Sequence, residues 1–223
     1  MVLYDMRRVL VVNPVGHSTW DSADLGIYRS YANPDTEVVV RSLPRGPRTV
    51  ETLEAYVEAE RETISFVLDN YKGFDGIIVN CFLEPGVASL RKRLKGQVVV
   101  VGPAEASLSL AKAYGDIAII TVGARAEGLE PIKEKVRALG FEKSIVNVSG
   151  IPIGVMDIDA DKKHTVNLLI TQAKKVLISG ADVIVLGCTG LAGLAKAIEE
   201  EVGVPVIDPA WASIKFLEAL LSR

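Results

Sequence analysis

Two cysteines are the residues whose positions most clearly suggest chemistry. Cys188 follows the apolar run Val183–Leu186 in the stretch GADVIVLGCTG, and Cys81 follows a similar run in GFDGIIVNC. Short runs rich in Val and Ile, bounded by turn-forming residues, are typical of buried strands in a parallel sheet. Because open α/β sheets bind ligands at the carboxyl ends of their strands, we expect both sulfurs at such an edge. The sequence contains no other cysteine.

The two cysteine stretches belong to a longer internal repeat. Gly, Asp, the apolar run and Cys fall at the same offsets from Gly73 and from Gly180. Asn13 and Thr121 each follow another apolar run, at nearly equal distances before Cys81 and Cys188. A repeat that spans about half of the chain indicates a duplicated half-domain rather than a solenoid unit.

The elements that must position the cysteines alternate between strand and helix. This order predicts an α/β fold of two pseudo-symmetric lobes, each a mainly parallel four-stranded sheet flanked by helices. We expect residues 1–104 plus 208–223 to form the first lobe, residues 105–207 to form the second, and the active site to occupy the cleft between them. Predicted strands cover 7–12, 37–42, 76–79, 97–101, 117–121, 143–148, 183–186 and 204–207. Predicted helices cover 22–31, 51–70, 85–94, 127–139, 162–179, 191–201 and 211–221. The helix over 51–70 is predicted to bury an apolar stripe formed by Leu53, Tyr56, Val57, Ile64, Val67 and Leu68.

Composition limits the function classes. The chain has 223 residues, of which 49% are hydrophobic, and a formal net charge of −3, so it lacks the basic field that nucleic-acid binding requires. No stretch approaches the roughly 20 apolar residues that cross a bilayer, and the first residues lack a signal-peptide pattern. We therefore expect a cytoplasmic protein with reduced thiols and without a membrane partner.

Several readings of the cysteines are open. Either one alone is typical of a small buried hydrophobic residue. A structural disulfide does not fit a reducing compartment, and His17 and His164 lack the spacing of zinc ligands. Two thiols placed equivalently in duplicated halves suit the removal of a proton from one face of a carbon and its return to the other. One sulfur would be the thiolate base and the other the thiol acid.

Three sequence blocks resemble the aspartate/glutamate/hydantoin racemase superfamily, with most similarity to its hydantoin racemase branch. They are RGPRTVE at 45–51, DGIIVNCFLEPG at 75–86, and ADVIVLGCTGLAG at 181–193 followed by GVPVIDP at 203–209. The segment GPAEA at 102–106 matches as well. This resemblance implies a cofactor-independent isomerase, a racemase of amino acids or their cyclic derivatives that needs neither pyridoxal phosphate nor a metal.

The resemblance also implies roles for individual residues. Cys81 and Cys188 would be the two catalytic acid/bases, and the loop 121–125 would line the substrate. The residues implied to contact the substrate are Asn13, Phe82, Thr121, Thr189 and Gly190, of which Thr189 and Gly190 would open the next helix and present free N–H groups.

Other functions and an assembly state belong to the same set of expectations. An aspartate/glutamate-type racemase, a maleate isomerase-like or arylmalonate decarboxylase-like enzyme, and a non-catalytic small-ligand binding module are the alternatives. The substrate is a small molecule in each of them. Exposed apolar helix faces are compatible with a homo-oligomer.

Overall fold

A computed structural model describes residues 6–123 and 126–222 of the chain. The first five residues, at which a signal peptide would begin, and the last two residues of the loop 121–125 lie outside this part. The chain forms two compact units, Met1–Pro103 with Ser213–Arg223, and Ala104–Ala212. The second boundary falls within the closing helix, whereas the sequence placed it before that helix, after residue 207.

The first unit contains a four-stranded sheet of order β2-β1-β3-β4, in which every pair of neighbours is parallel. The central strand β3 is fully buried, β1 is buried from Val9 onward, and both are rich in Val and Ile, as is expected of a sheet covered on both faces. Its elements are β1 (Arg7–Asn13), α1 (Asp21–Tyr31), β2 (Thr36–Ser42), α2 (Leu53–Asn70), β3 (Gly76–Val79), α3 (Val87–Arg93) and β4 (Val99–Val101).

The second unit repeats this architecture with the order β6-β5-β7-β8, again parallel throughout. The predicted α/β fold of two parallel four-stranded sheets flanked by helices is therefore confirmed. Its elements are α4 (Pro103–Ala111), β5 (Ile117–Val122), α5 (Ala126–Ala138), β6 (Ile145–Ile151), α6 (Lys162–Leu177), β7 (Val183–Leu186), α7 (Ala195–Val202), β8 (Val206–Ile207) and α8 (Pro209–Leu221).

Equivalent aspartates begin the two cysteine-bearing strands. The Asp75 carboxylate accepts a hydrogen bond from the Arg8 backbone N–H at 2.7 Å, and Asp182 accepts one from Asp116 N–H at 2.8 Å. In return, the backbone N–H of each aspartate donates to the carbonyl of the same neighbouring residue at 2.8 Å. These paired bonds fix the register between the first and third strands of each sheet, so the two aspartates are structural.

Two sequence predictions about helices are wrong in detail. Residues 191–201 do not form one helix, because α7 begins only at Ala195, after a single 3-10 turn at Thr189–Leu191. The Asp208 carboxylate accepts the Gly193 N–H at 2.5 Å, and Gly193 has a positive φ of 84°, so the chain turns before the helix starts. The same carboxylate accepts the N–H groups of Ala210 and Trp211 at the start of α8.

The apolar stripe predicted for α2 is also partly wrong. Leu53 and Val57 are 74% and 56% exposed. The buried face is set by Ala59, Thr63 and Val67, which recur every four residues. At 3.6 residues per turn, Leu53 and Val57 lie about 80° and 120° around the helix from Thr63, away from that face.

Candidate active site

Cys81 lies at the carboxyl end of β3, in a tight turn. Its N–H donates to the Val79 carbonyl at 2.8 Å, and its own carbonyl accepts the Glu84 N–H at 2.9 Å. The thiol is half-buried. The strand therefore delivers the sulfur to the edge of the sheet at which parallel sheets hold ligands, as the sequence predicts.

Asn80, immediately before Cys81, is held by a network of buried polar side chains. Its amide donates to the Asn13 Oδ1 at 2.7 Å, and its Oδ1 accepts the Tyr28 hydroxyl at 2.9 Å. Asn13 in turn donates to Asp21 at 2.9 Å and to Asp24 at 2.8 Å. The network connects the ends of β1 and β3 to helix α1, so the backbone that carries Cys81 is fixed from both sides.

The network also limits what Asn13 has to offer a substrate. Both hydrogens of its amide are committed to the carboxylates of Asp21 and Asp24, and the residue is 3% exposed. An asparagine amide has only two N–H donors, so only a lone pair of Oδ1 is left for a ligand. The structure places Asn13 beside the cysteine loop in a positioning arrangement, and the substrate contact that the resemblance implies for it stays a prediction.

The sequence analysis did not predict a role for Tyr56 or Glu84 in the surroundings of Cys81. Burial, followed by the charges of Glu60, Cys81 and Glu84, raises the pKa of Tyr56 to about 12. The charges of Cys81 and Glu84 therefore act on the Tyr56 hydroxyl, which lies on α2. Sequence periodicity assigned Tyr56 to an apolar stripe, and the rotation of α2 over the sheet was needed to show its polar end.

Phe82 follows Cys81 and is 2% exposed. Its ring is therefore shielded from solvent. A shielded ring next in sequence to Cys81 fits the wall role that the resemblance implies better than an open contact surface.

Cys188 occupies the equivalent position in the second unit. It is half-buried and extended, and its carbonyl accepts the Leu191 N–H at 3.0 Å. The preceding Gly187 donates its N–H to the Ile120 carbonyl at 2.8 Å, and its carbonyl accepts the Thr121 hydroxyl at 3.0 Å. Thr121 is thus brought to the cysteine loop, and its hydroxyl holds the backbone just before the sulfur.

Thr189 and Gly190 form the 3-10 turn after Cys188. Gly190 is exposed, and a Cβ added to it would lie 2.7 Å from Ile158 Cδ1 and 3.6 Å from the Cys188 Sγ. A side chain at this position would displace the Ile158 methyl and would lie in van der Waals contact with the Cys188 sulfur. The glycine therefore leaves the surface beside this sulfur free of a side chain.

One arginine and one histidine of the early loops contact residues other than the cysteines, and a second histidine lies on α6. Arg45 pairs with Glu62 at 2.7 Å, and this hydrogen bond lowers the pKa of the Glu62 carboxyl. His17 contacts the Arg48 carbonyl through Nε2 at 2.9 Å and packs edge-on against the Trp20 ring. His164 lies exposed in the first turn of α6. None of these contacts brings an imidazole or a guanidinium to either cysteine.

The described residues contain no metal site or membrane span. Over residues 6–123 and 126–222, no three His, Cys, Asp or Glu side chains are grouped in a way that could hold a metal ion. In that same part of the chain, none of the helices combines the length and the apolar character needed to cross a bilayer.

Comparison with protein families gives one match across most of the chain. The model of the family described as Asp/Glu/Hydantoin racemase matches residues 25–217. The matched segment includes both cysteine loops. The resemblance drawn from the sequence blocks is thereby confirmed.

Individual relatives agree with that match. A hydantoin racemase from Pseudomonas sp. (strain NS671) is 28% identical over 217 residues, which cover 96% of this chain and 86% of that protein. The solved structure of an allantoin racemase from Klebsiella pneumoniae is 25% identical with a TM-score of 0.89, covering 97% of this chain and 88% of that chain. An allantoin racemase from Pseudomonas fluorescens gives 26% identity and a TM-score of 0.89, with 96% and 91% covered.

Proposed function

Since this chain belongs to the Asp/Glu/hydantoin racemase family, we propose that it is a racemase of a small cyclic ureide, either a 5-substituted hydantoin or allantoin. The choice of a ureide over a free amino acid is supported by the similarity to a hydantoin racemase and to two allantoin racemases. The observation that carries the proposal is the matched pair of cysteine loops. Each follows the third strand of a sheet with the same strand order.

The proposed chemistry is proton transfer by two bases. One cysteine thiolate takes the proton from the ring carbon that bears the substituent, and the electron pair of the broken C–H bond moves to the adjacent carbonyl oxygen. The other cysteine then donates its S–H proton to the opposite face of that carbon, and the carbonyl re-forms. The product is the mirror image of the substrate, and the two sulfurs have exchanged protonation states.

The substrate and the chain together supply what this mechanism needs. The ring carbonyl makes the C–H bond acidic enough for a thiolate base, because the carbanion is delocalised as an enolate. Backbone N–H groups near the sulfurs would stabilise the developing charge on oxygen. The half-buried setting of both sulfurs limits water around them, which strengthens these electrostatic interactions.

The proposal is tested with a substrate panel in deuterated water. The protein is incubated with enantiopure 5-methylhydantoin, 5-benzylhydantoin, allantoin, aspartate and glutamate. Loss of the proton on the stereogenic carbon, which is a ring carbon in the ureides and the α carbon in the amino acids, is followed by proton NMR and compared with the decay of optical rotation. We expect both to proceed together for at least one ureide, far above the rate of a protein-free sample. The Cys81→Ser/Cys188→Ser double variant is the control and should match that blank.

Two results would contradict the proposal. If no compound exchanges its proton faster than the blank, the protein is not a racemase of these classes. If a ureide raises the melting temperature but exchanges no proton, the protein is instead a ligand-binding module.

A further inference from the structure

The loops that follow the two cysteines share two backbone hydrogen bonds but differ in the buried side chain that lies between them. In both loops the residue three positions after the cysteine donates its N–H to the cysteine carbonyl, at 2.9 Å for Glu84 and 3.0 Å for Leu191. In both, the carbonyl of that residue also accepts an N–H three positions on, from Val87 and from Leu194. Glu84 is 4% exposed and Leu191 is 0% exposed. The duplicated scaffold thus buries a carboxyl-bearing side chain in the turn after Cys81 and a hydrocarbon in the turn after Cys188.

The position of Glu84 is costly for the fold. Its φ is 56°, and no other non-glycine residue in the described ranges 6–123 and 126–222 has a positive φ. The left-handed conformation is unfavourable for a residue with a side chain, and a buried carboxylate adds a desolvation penalty. Backbone strain of this kind is concentrated at functional sites.

The surrounding chain is shaped to admit this carboxyl group. A Cβ added to Gly102 would overlap the Glu84 carboxyl carbon and Oε1. Gly102 follows β4, the neighbour of β3 in the sheet, so the absence of a side chain there leaves room for Glu84. An acidic group in a dedicated space, at a strained position, indicates a role beyond filling volume.

Ionisable groups of this region of the first unit lie on four elements. Glu84 belongs to the same turn as Cys81, and Tyr56 and Glu60 lie on α2. The charges of Glu60, Cys81 and Glu84 all act on the Tyr56 hydroxyl.

Two further elements complete this set. On α1, Asp21 and Asp24 accept hydrogen bonds from the Asn13 amide, and on α3, Arg91 donates to the Val100 carbonyl. Because the Glu84 and Glu60 side chains are carboxylates, they oppose a thiolate at Cys81 from the turn and from α2.

We propose that Glu84 is a positioning residue that keeps Cys81 in its thiol form in the resting protein, so that Cys81 is the resting proton donor and Cys188 the resting base. The physical reason is that a nearby like charge disfavours ionisation, and does so more strongly away from water. After one turnover Cys81 holds the thiolate and Cys188 the proton. Uptake of a solvent proton by Cys81 and its loss from Cys188 restores the resting state. This inference deepens the proposed racemase function and rests on it for the naming of donor and base.

The test measures thiol ionisation directly, without substrate. Ultraviolet absorbance of the thiolate is followed against pH in the Cys188→Ser and Cys81→Ser variants, with the cysteine-free double variant subtracted to remove tyrosine ionisation. We expect Cys81 to ionise at least about one pH unit above Cys188. A value for Cys81 equal to or below that of Cys188 overturns the proposal.

Variants of Glu84 then assign the cause. Combined with Cys188→Ser, Glu84→Gln should lower the midpoint of Cys81 by about one unit, whereas Glu84→Asp keeps the charge and should leave it high. Glu60→Gln, which removes another carboxylate that acts on Tyr56, is the matched control and should produce a smaller shift. An unchanged midpoint in Glu84→Gln, or an equal shift in Glu60→Gln, overturns the role of Glu84.

This experiment also separates two kinds of failure. If Glu84→Gln does not fold, the comparison of Cys81 with Cys188 in chains that retain Glu84 still decides the question. If the protein racemises none of the panel but the midpoints differ as expected, the proposed function fails and the effect of Glu84 on Cys81 stands. If racemisation occurs and the midpoints coincide, only the inference about Glu84 fails.

Discussion

The two units carry the same cysteine turn but support it in different ways. In the first, Asn80 is held through side chains by Asn13 and Tyr28. In the second, the matching residue is Gly187, and the Thr121 hydroxyl holds its carbonyl. The lesson is that duplication preserved the backbone path to each sulfur, while the side chains around the two sulfurs became different. Under the proposed two-cysteine mechanism, each of two mirror-image substrates would meet one of two unlike thiols.

The largest effect on stability is expected from breaking the polar support of the first loop. Asn80→Ala leaves the Tyr28 hydroxyl and the Asn13 carbonyl oxygen buried without this partner. Since each unsatisfied buried group costs about 1–3 kcal/mol, we expect a loss of about 2–4 kcal/mol in the free energy of unfolding. Urea denaturation measures it.

The control for this change is Asn70→Ala, which removes a single side-chain bond to the Phe66 carbonyl at the end of α2. It should cost about 0.5–1.5 kcal/mol. If both alanine variants cost the same, the network around Asn80 does not support the loop in the way that the geometry indicates.

The second loop is expected to resist any side chain before its cysteine. A Cβ at Gly187 would lie 2.7 Å from Ile119 Cγ2 and 3.2 Å from the Thr121 Cβ, both in the packed β5 strand. Gly187→Ala should therefore destabilise the protein by about 1–3 kcal/mol through overpacking. Gly26→Ala in α1, where an added Cβ meets no atom within 4 Å, should instead stabilise it by up to about 1 kcal/mol. Thermal unfolding checks both signs, and a stabilising Gly187→Ala would show that the two loops are less different than described.

A smaller effect on stability is expected from changing Tyr56, whose pKa is influenced by the Cys81 charge. The folded-state pKa of Tyr56, about 12, lies above the ordinary value of 10.0. The neutral Tyr56 hydroxyl therefore stabilises the folded protein fully below about pH 10. This stabilisation is lost as the pH rises toward 12, because the hydroxyl ionises at a lower pH in the unfolded chain than in the folded protein. Tyr56→Phe should lose less stability than the parent protein between pH 9 and about pH 11.5, measured by urea midpoints.

Tyr114→Phe is the comparison for the loss of an exposed tyrosine hydroxyl, since this residue is 54% exposed. It should follow the parent protein through the same pH range. Equal behaviour of the two phenylalanine variants would show that burial and the neighbouring charges do not raise the pKa of Tyr56.

The sequence was sufficient for the parts of this molecule that depend on pattern. Apolar runs after Asp75 and Asp182 predict the buried strands, and their repetition predicts two sheets and two equivalent cysteines. These features follow from local periodicity and offset, which are visible without a fold. Helix α7 was misplaced because its start depends on the distant Asp208 carboxylate.

The surroundings of the sulfurs depend on tertiary contacts and could not be predicted in the same way. The influence of the Cys81 charge on the pKa of Tyr56 depends on how α2 packs on the sheet, and Asn13 is committed to carboxylates on α1. One signal was available in the repeat itself. When the two cysteine blocks are aligned, Glu84 occupies the position of Leu191. A charged residue at a position that holds an apolar residue in the other half of the repeat indicates a role specific to the first half.

Proton exchange by the two single-cysteine variants tests the central claim most directly. Each enantiomer of the preferred ureide is incubated in deuterated water with Cys81→Ser or Cys188→Ser, and loss of the ring proton is followed together with optical rotation. The account predicts that racemisation falls by about 10²–10⁴-fold in both variants. It also predicts that each variant retains exchange of one enantiomer only, and that the favoured hand is opposite in the two. Undiminished racemisation in either variant, or the same favoured hand in both, would contradict a mechanism in which one cysteine serves each face.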